Sequence, residues 1–141
     1  MVDPDRVRRL LERLAVYQAA LTRLAAMPGD ALRADPDRMA SVKYHFIVAI
    51  ECCIDLANHI IAADRLRAPL DYADSFGVLI EAGLLERELG DEMRAAARFR
   101  NRLVHVYWDV DDGLVLDYLT DDSRPIARFA AQMARLVRDS R

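Results

Sequence analysis

Residues 100–107 read Arg-Asn-Arg-Leu-Val-His-Val-Tyr and carry the side chains of this sequence best suited to chemistry. The guanidinium of Arg100 offers a planar fork of hydrogen-bond donors that matches a phosphate group. The imidazole of His105 can take up or release a proton. Asn101 can hydrogen-bond one ring nitrogen of that imidazole and fix its tautomer. The phenol of Tyr107 can position a substrate, donate a proton or accept a transferred group.

The segment lies near the end of a predicted helix, where each residue turns by about 100°. Arg100 and Tyr107 therefore share one face, and Asn101 and His105 share a neighbouring face. Arg100 and His105 lie about 140° apart, so a distorted helix end or a second subunit must bring them to one cleft. These four side-chain types suit metal-free RNA cleavage, in which the ribose 2′-hydroxyl attacks the adjacent phosphate.

A second polar set lies on the long apolar helix predicted over residues 36–66. Asp55 and His59 are four residues apart and share a face. They either orient the motif, line the cleft, or form a buried polar pair that satisfies its own hydrogen bonds inside the bundle. Glu51 lies one turn earlier and extends this polar stripe. A metal site of these three residues is conceivable, but one helix supplies all of them, so we expect no metal and no other cofactor.

The composition is that of a soluble globular chain: 141 residues, 53% hydrophobic and 30% charged, enough for one domain over residues 1–141. A net charge of -3 argues against a protein that coats nucleic acid by charge alone. Arg94, Arg98 and Arg102 still form a local basic patch with Arg100. This patch either holds a few RNA phosphates or is a solvated helix face.

The two cysteines, Cys52 and Cys53, are adjacent in an apolar helical run, so they point in different directions and do not have zinc-ligand spacing. We interpret them as core residues in a reducing compartment. The sequence starts without the apolar stretch of a signal peptide, and we find no window of eighteen apolar residues. We therefore expect a cytoplasmic protein with no membrane span.

Apolar residues at three- and four-residue steps predict four main helices and one short one. Asp-Pro pairs at 3–4 and 35–36 start two of them, Asp71 caps the short helix over 72–81, and Asp91 caps the motif helix, which ends near Trp108. Asp121, Asp122 or Ser123 caps the last helix, and residues 114–119 form a short extended piece. The predicted class is all-α, an antiparallel helical bundle.

The pattern Arg-x4-His-x-Tyr, with Asn after the Arg, resembles the signature of HEPN ribonucleases and specifically of HepT-like toxins. Residues 54–61, Pro69, residues 72–76 and residues 100–107 carry the resemblance in the family's order, over about residues 40–115. The combined match is specific, whereas the Arg-to-His spacing alone is weak.

The resemblance implies an all-α homodimer in which two motifs line one interface cleft. It implies a metal-independent endoribonuclease that is the toxin of a type II toxin–antitoxin module, with Arg100, Asn101, His105 and Tyr107 as catalytic residues. It further implies an MntA-like nucleotidyltransferase antitoxin that transfers AMP to Tyr107, adding bulk and negative charge beside the phosphate site.

Two other interpretations of the sequence stay open. In the first, the helical dimer binds RNA or the nucleotidyltransferase without cleaving RNA. In the second, the chain is a structural adaptor, and replacing Arg100 or His105 changes only stability.

Overall fold

The computed structural model describes residues 2–121 and 124–139, and for residue 107 it describes the backbone alone. The described residues form seven α-helices and one 3-10 turn, with no strand, so the predicted all-α class is confirmed. The elements are α1 Pro4–Ala25, α2 Gly29–Arg33, α3 Pro36–Ala63, α4 Tyr72–Glu81, α5 Arg87–His105, the 3-10 turn Tyr107–Asp109, α6 Asp112–Thr120 and α7 Pro125–Asp139. The four long helices and α4 match the expected set, and α2 and α6 are additional.

Helix α3 is the central element, and α1, α4, α5 and α7 pack around it. Its middle is apolar on most of its circumference because it has neighbours on most sides. One stretch of α3 is long and apolar enough to cross a membrane, which the sequence analysis did not expect. Of this stretch, 56% is buried inside the bundle, and a mostly buried core helix meets the same criterion.

Three predicted helix starts are confirmed by their capping bonds. The side chains of Asp3 and Asp35 each accept hydrogen bonds from two backbone amides in the first turn of α1 and α3. Asp71 accepts one from the amide of Asp74 at the start of α4. These bonds satisfy amides that have no partner within the helix. Of the three cap candidates for α7, Asp122 and Ser123 lie outside the described residues.

The extended piece expected over residues 114–119 is wrong, because these residues belong to helix α6. Asp111 caps this helix by accepting a bond from the amide of Gly113 at 2.8 Å. Val115, Leu116 and Leu119 are buried together against the bundle. Their spacing is that of one helical face, and it outweighs the loose alternation over so short a segment.

The motif helix α5 also begins earlier than predicted, at Arg87, so Asp91 lies inside it and is not its cap. Gly90 lies within this helix. A side chain at this position would meet Ile80, with the nearest atom at 2.4 Å, so the glycine allows α4 and α5 to approach closely.

An aromatic cluster fixes α5 against α3 and α6. The ring centroids of Phe46 and Phe99 are 5.7 Å apart, and the ring of Tyr118 stacks on Phe99 at 4.8 Å. Four residues after Phe99, the side chain of Leu103 is fully buried. These apolar contacts bracket Arg100 and Asn101 and set the direction in which they point.

Candidate active site

The motif occupies the end of α5 and the turn that follows it. The α-helix ends at His105, and Val106 leaves the helical conformation with φ -130° and ψ 41°. Tyr107 then begins a 3-10 turn. The expectation that Arg100 and Tyr107 share a helix face is therefore wrong, because the helix does not continue to residue 107. The position of the Tyr107 side chain lies outside the described residues.

The guanidinium of Arg100 is held from three sides. Its Nη2 and Nε atoms donate to Oε1 of Glu51 on α3, at 2.7 and 3.2 Å. Its Nη1 donates to the amide oxygen of Asn101 at 2.9 Å. Its central carbon lies 5.1 Å from the centre of the Tyr72 ring on α4, a cation–π contact. With 13% of its side chain exposed, Arg100 is oriented before any ligand arrives.

Asn101 makes a different contact from the one predicted. Its amide oxygen accepts the bond from Arg100 rather than holding the ring of His105. The side chain of His105 is exposed, and no hydrogen bond joins it to another described residue. Asn101 therefore connects the phosphate-binding candidate to the cavity that contains the histidine.

Asn101 and His105 line a cavity of about 350 Å³ at the junction of α3, α4 and α5. The floor carries a bond from the hydroxyl of the buried Ser75 to the amide oxygen of Asn58, at 2.7 Å. The remaining lining residues are Pro69, Asp71 and Tyr72. The cavity thus has amide and hydroxyl groups inside and a titratable imidazole at its edge.

Arg100 lies in a neighbouring cavity of about 280 Å³, which it lines with Glu51, Ile54, Asp55 and Tyr72. Tyr72 lines both cavities, so the arginine and the histidine occupy neighbouring cavities that meet at this residue. This arrangement agrees with the angular offset expected between the two residues. A substrate that reaches both must extend over Tyr72.

Asp55 and His59, the two proposed supporting residues, have different surroundings. Asp55 lines the cavity of Arg100, and partial burial raises the pKa of its carboxyl, with Glu51 adding to the effect and Arg6 and Arg13 opposing it. His59 instead accepts a hydrogen bond at Nε2 from the backbone amide of Asp3, at 3.0 Å. The structure therefore gives His59 a contact with the start of α1 rather than with the motif.

The basic patch predicted on α5 does not form one surface: Arg94, Arg98 and Arg102, at four-residue steps, follow one side of the helix, and Arg100 lies on another. Arg94 is half-buried, lies 3.5 Å from Asp91 and has a buried Nε atom with no hydrogen bond. Arg98 and Arg102 are exposed and line neither cavity.

The cavity is also lined by three residues that were not predicted from the sequence to lie there: Asn58, Tyr72 and Ser75. Asn58 continues the stripe of Glu51 and Asp55 at helical spacing, a signal that was available. Glu51, placed on that stripe and considered as a metal ligand, contacts Arg100 instead.

Two solved structures share this fold. One is a tri-AMPylated Shewanella oneidensis HEPN toxin in complex with MNT antitoxin, with a TM-score of 0.79 and 23% identity, covering 89% of this chain and 96% of that chain. The other is the cytosolic protein YutE from Bacillus subtilis, with a TM-score of 0.81 and 18% identity, covering 99% and 93%. The all-α bundle with its Arg-x4-His segment therefore has the fold of HEPN toxins.

Sequence comparison identifies a more specific family than the fold does. The mRNA nuclease HepT of Shewanella oneidensis is 28% identical over 109 residues, covering 76% of this chain and 82% of that protein. Residues 7–133 match the family described as Ribonuclease HepT-like. The chain belongs to this family, which confirms the resemblance and the prediction of a ribonuclease.

The Glu51–Arg100 pair generates a prediction about stability. Replacing Glu51 with Ala leaves a mostly buried guanidinium without its two charge-assisted bonds, so we expect the free energy of unfolding to fall by about 1–3 kcal/mol. Glu51→Gln retains an acceptor and should lose less. Urea unfolding followed by circular dichroism measures both changes.

The matched control is Glu12→Ala. Glu12 is 70% exposed and lies 3.9 Å from Arg8, which is 66% exposed, so its removal should change stability by less than about 0.5 kcal/mol. Equal losses of unfolding free energy for Glu12→Ala and Glu51→Ala would show that the Glu51–Arg100 pair stabilises the fold no more than an exposed pair does.

The His59–Asp3 bond generates a prediction about pH. Burial and the charge of Arg6 lower the pKa of His59 from its ordinary value of 6.5, so the folded state favours the neutral ring that accepts the bond. The unfolded chain binds more protons below about pH 6.5, and stability should fall as the pH drops through that region. His59→Gln, which can accept the same bond without titrating, should lose less stability between about pH 7.5 and about pH 5.5.

Urea midpoints at the two pH values measure this effect. His105→Gln provides the comparison, since His105 is exposed and forms no bond of this kind. If the midpoint of His59→Gln falls as much as that of the unmodified protein, the titration of His59 does not govern how α1 is held.

Proposed function

We propose that this chain is the toxin of a type II toxin–antitoxin module and a metal-independent endoribonuclease. The observation that carries the proposal is the orientation of Arg100, which is fixed by Glu51 and Asn101 one cavity away from the exposed imidazole of His105. Support also comes from the family to which the chain belongs and from the relative named as an mRNA nuclease.

In the proposed reaction, the donors of Arg100 not used by Glu51 and Asn101 bind the scissile phosphate of RNA. His105 takes the proton of the ribose 2′-hydroxyl, and the 2′-oxygen attacks phosphorus. The bond from phosphorus to the 5′-oxygen breaks, and this oxygen takes a proton from water. The hydroxide left behind takes the proton held by His105, which restores the neutral imidazole. The products are a 2′,3′-cyclic phosphate and a 5′-hydroxyl.

We propose a homodimer as the active form. Apolar side chains are exposed beside His105, where Val104 is 41%, Val106 38% and Trp108 84% exposed. Burying them against a second copy favours association and brings two motifs into one cleft. The cleft also provides the second wall that the exposed His105 lacks within one chain.

We propose Tyr107 as the site of control by an MntA-like nucleotidyltransferase. The phenol oxygen attacks the α-phosphorus of ATP, pyrophosphate leaves, and AMP remains attached to the tyrosine. The added phosphate introduces negative charge two residues after His105 in the sequence, and this charge competes with RNA for Arg100. The AMPylated Shewanella oneidensis toxin, bound to its MNT antitoxin, supports this assignment.

The nuclease proposal predicts cleavage of labelled RNA in EDTA by the unmodified protein. His105→Ala should lower the rate by about 10²- to 10⁴-fold, because it removes the proton acceptor. Arg100→Lys keeps the charge but loses the planar fork, so it should also slow cleavage. His45→Ala and Arg87→Lys, which lie outside both cavities, are the matched controls and should cleave as the unmodified protein does.

Circular dichroism first establishes that each variant is folded. Equal cleavage by His105→Ala and the unmodified protein would contradict the catalytic role of His105. A folded, unmodified protein that binds RNA without cleaving it would favour the binding module in place of the nuclease.

The control proposal predicts AMP on one tyrosine. Incubation with the antitoxin and ATP should raise the mass of the protein by one or more AMP units, and peptide mapping should place the first unit on Tyr107. Tyr107→Phe should remain unmodified. Tyr44 and Tyr72 are 54% and 48% exposed and serve as internal controls, so AMP on either of them would contradict the assignment.

A further inference from the structure

Helix α1 carries a second set of arginines near the active site. Arg6, Arg9 and Arg13 line a cavity of about 150 Å³ together with Leu10 and Asp55. Their spacing of three and four residues places them on one helix face over about 10 Å. We refer to Arg6, Arg9 and Arg13 as the α1 arginine patch.

The patch retains free donors. Its three side chains are exposed, and none forms a salt bridge with another described residue. Arg8, on the other side of the same helix, lies near Asp5 and Glu12 at 3.4 and 3.9 Å. In a chain with a net charge of -3, three neighbouring arginines without salt bridges form a concentrated positive surface.

The patch continues into the active site. Asp55 lines both the patch cavity and the cavity of Arg100, and Tyr72 lines both the cavity of Arg100 and that of His105. The three cavities therefore follow one another across α1, α3, α4 and α5. Arg98 and Arg102, on the outer side of α5, line none of them.

The position of α1 is fixed by packing as well as by hydrogen bonding. Val7, Leu10 and Leu14 are buried against the bundle on the opposite side from the solvent. The amide of Asp3 donates to His59 and attaches the start of α1 to α3. The patch is thus held at a constant position relative to Arg100.

We infer that the α1 arginine patch is a subsite for backbone phosphates of the RNA strand flanking the scissile bond. The inference rests on the proposed function for the identity of the ligand. Along the three connected cavities, four arginines face three carboxylates. Glu51 is already bound to Arg100 and Asp71 accepts the capping bond of α4, so the surface still attracts a polyanion. Asp55 lies between the two positive groups, where it can accept a hydrogen bond from a ribose hydroxyl or a base amine.

The test measures binding of a fluorescent, fully 2′-O-methylated single-stranded RNA of fifteen nucleotides by anisotropy in EDTA. This probe lacks the attacking hydroxyl, so affinity is measured whether or not the protein cleaves RNA. The triple variant R6Q/R9Q/R13Q should bind at least about tenfold more weakly, and its salt-dependence slope should fall by about 2, because three phosphate contacts to a single strand are lost.

The matched control is R23Q/R87Q/R135Q, which removes the same charge from exposed arginines outside the three cavities. It should change affinity by less than about twofold, since distant exposed charges are screened. Equal loss in both triple variants, or no loss in R6Q/R9Q/R13Q, would overturn the inference. The inference would also be overturned if binding of the antitoxin depended on the patch while binding of RNA did not.

A second measurement separates this inference from the proposed function. A dinucleotide reaches the scissile position but not the patch, so R6Q/R9Q/R13Q should cleave it at the unmodified rate while cleaving long RNA with a raised KM. If the unmodified protein cleaves neither substrate but its RNA binding still requires the patch, the nuclease proposal fails and the subsite stands.

Discussion

The ion pair between Arg100 and Glu51 is the interaction around which the candidate site is built. A guanidinium that is 13% exposed needs a partner, because an unpaired charge in that position is costly. Glu51 provides it from α3, Asn101 provides a further acceptor, and Tyr72 provides an aromatic face from α4. Three helices must therefore keep their positions for the arginine to keep its orientation.

The apolar core keeps these three helices in position. Phe46, Phe99 and Tyr118 contact one another where α5 meets α3 and α6, and Leu103 is buried one turn further along α5. Side chains between these anchors cannot rotate around the helix without disturbing a closely packed interior. The end of α5 differs, because the helix stops at His105 and the chain changes direction. Fixed binding groups and an exposed proton carrier thus lie within six residues of each other.

Much of the fold could be predicted from local sequence. Asp-Pro pairs and helical periodicity placed α1 and α3, because capping and amphipathicity are properties of a few neighbouring residues. The segment at 114–119 was misjudged because a short stretch does not distinguish the two periodicities, and its burial depends on α3. The motif itself was recognised from residue types. Its partner Glu51 was not, since pairing across 49 residues depends on the register between two helices.

The central claim is that Arg100 and His105 promote attack by a ribose 2′-hydroxyl on the adjacent phosphate. The most direct test maps one cleavage site in a synthetic RNA and then replaces the ribose 5′ to that bond with 2′-deoxyribose, with EDTA present throughout. Our account predicts that cleavage stops at that bond alone, while neighbouring bonds are cleaved as before. Continued cleavage at the deoxyribose position would show that the nucleophile is not the 2′-hydroxyl and would contradict the account.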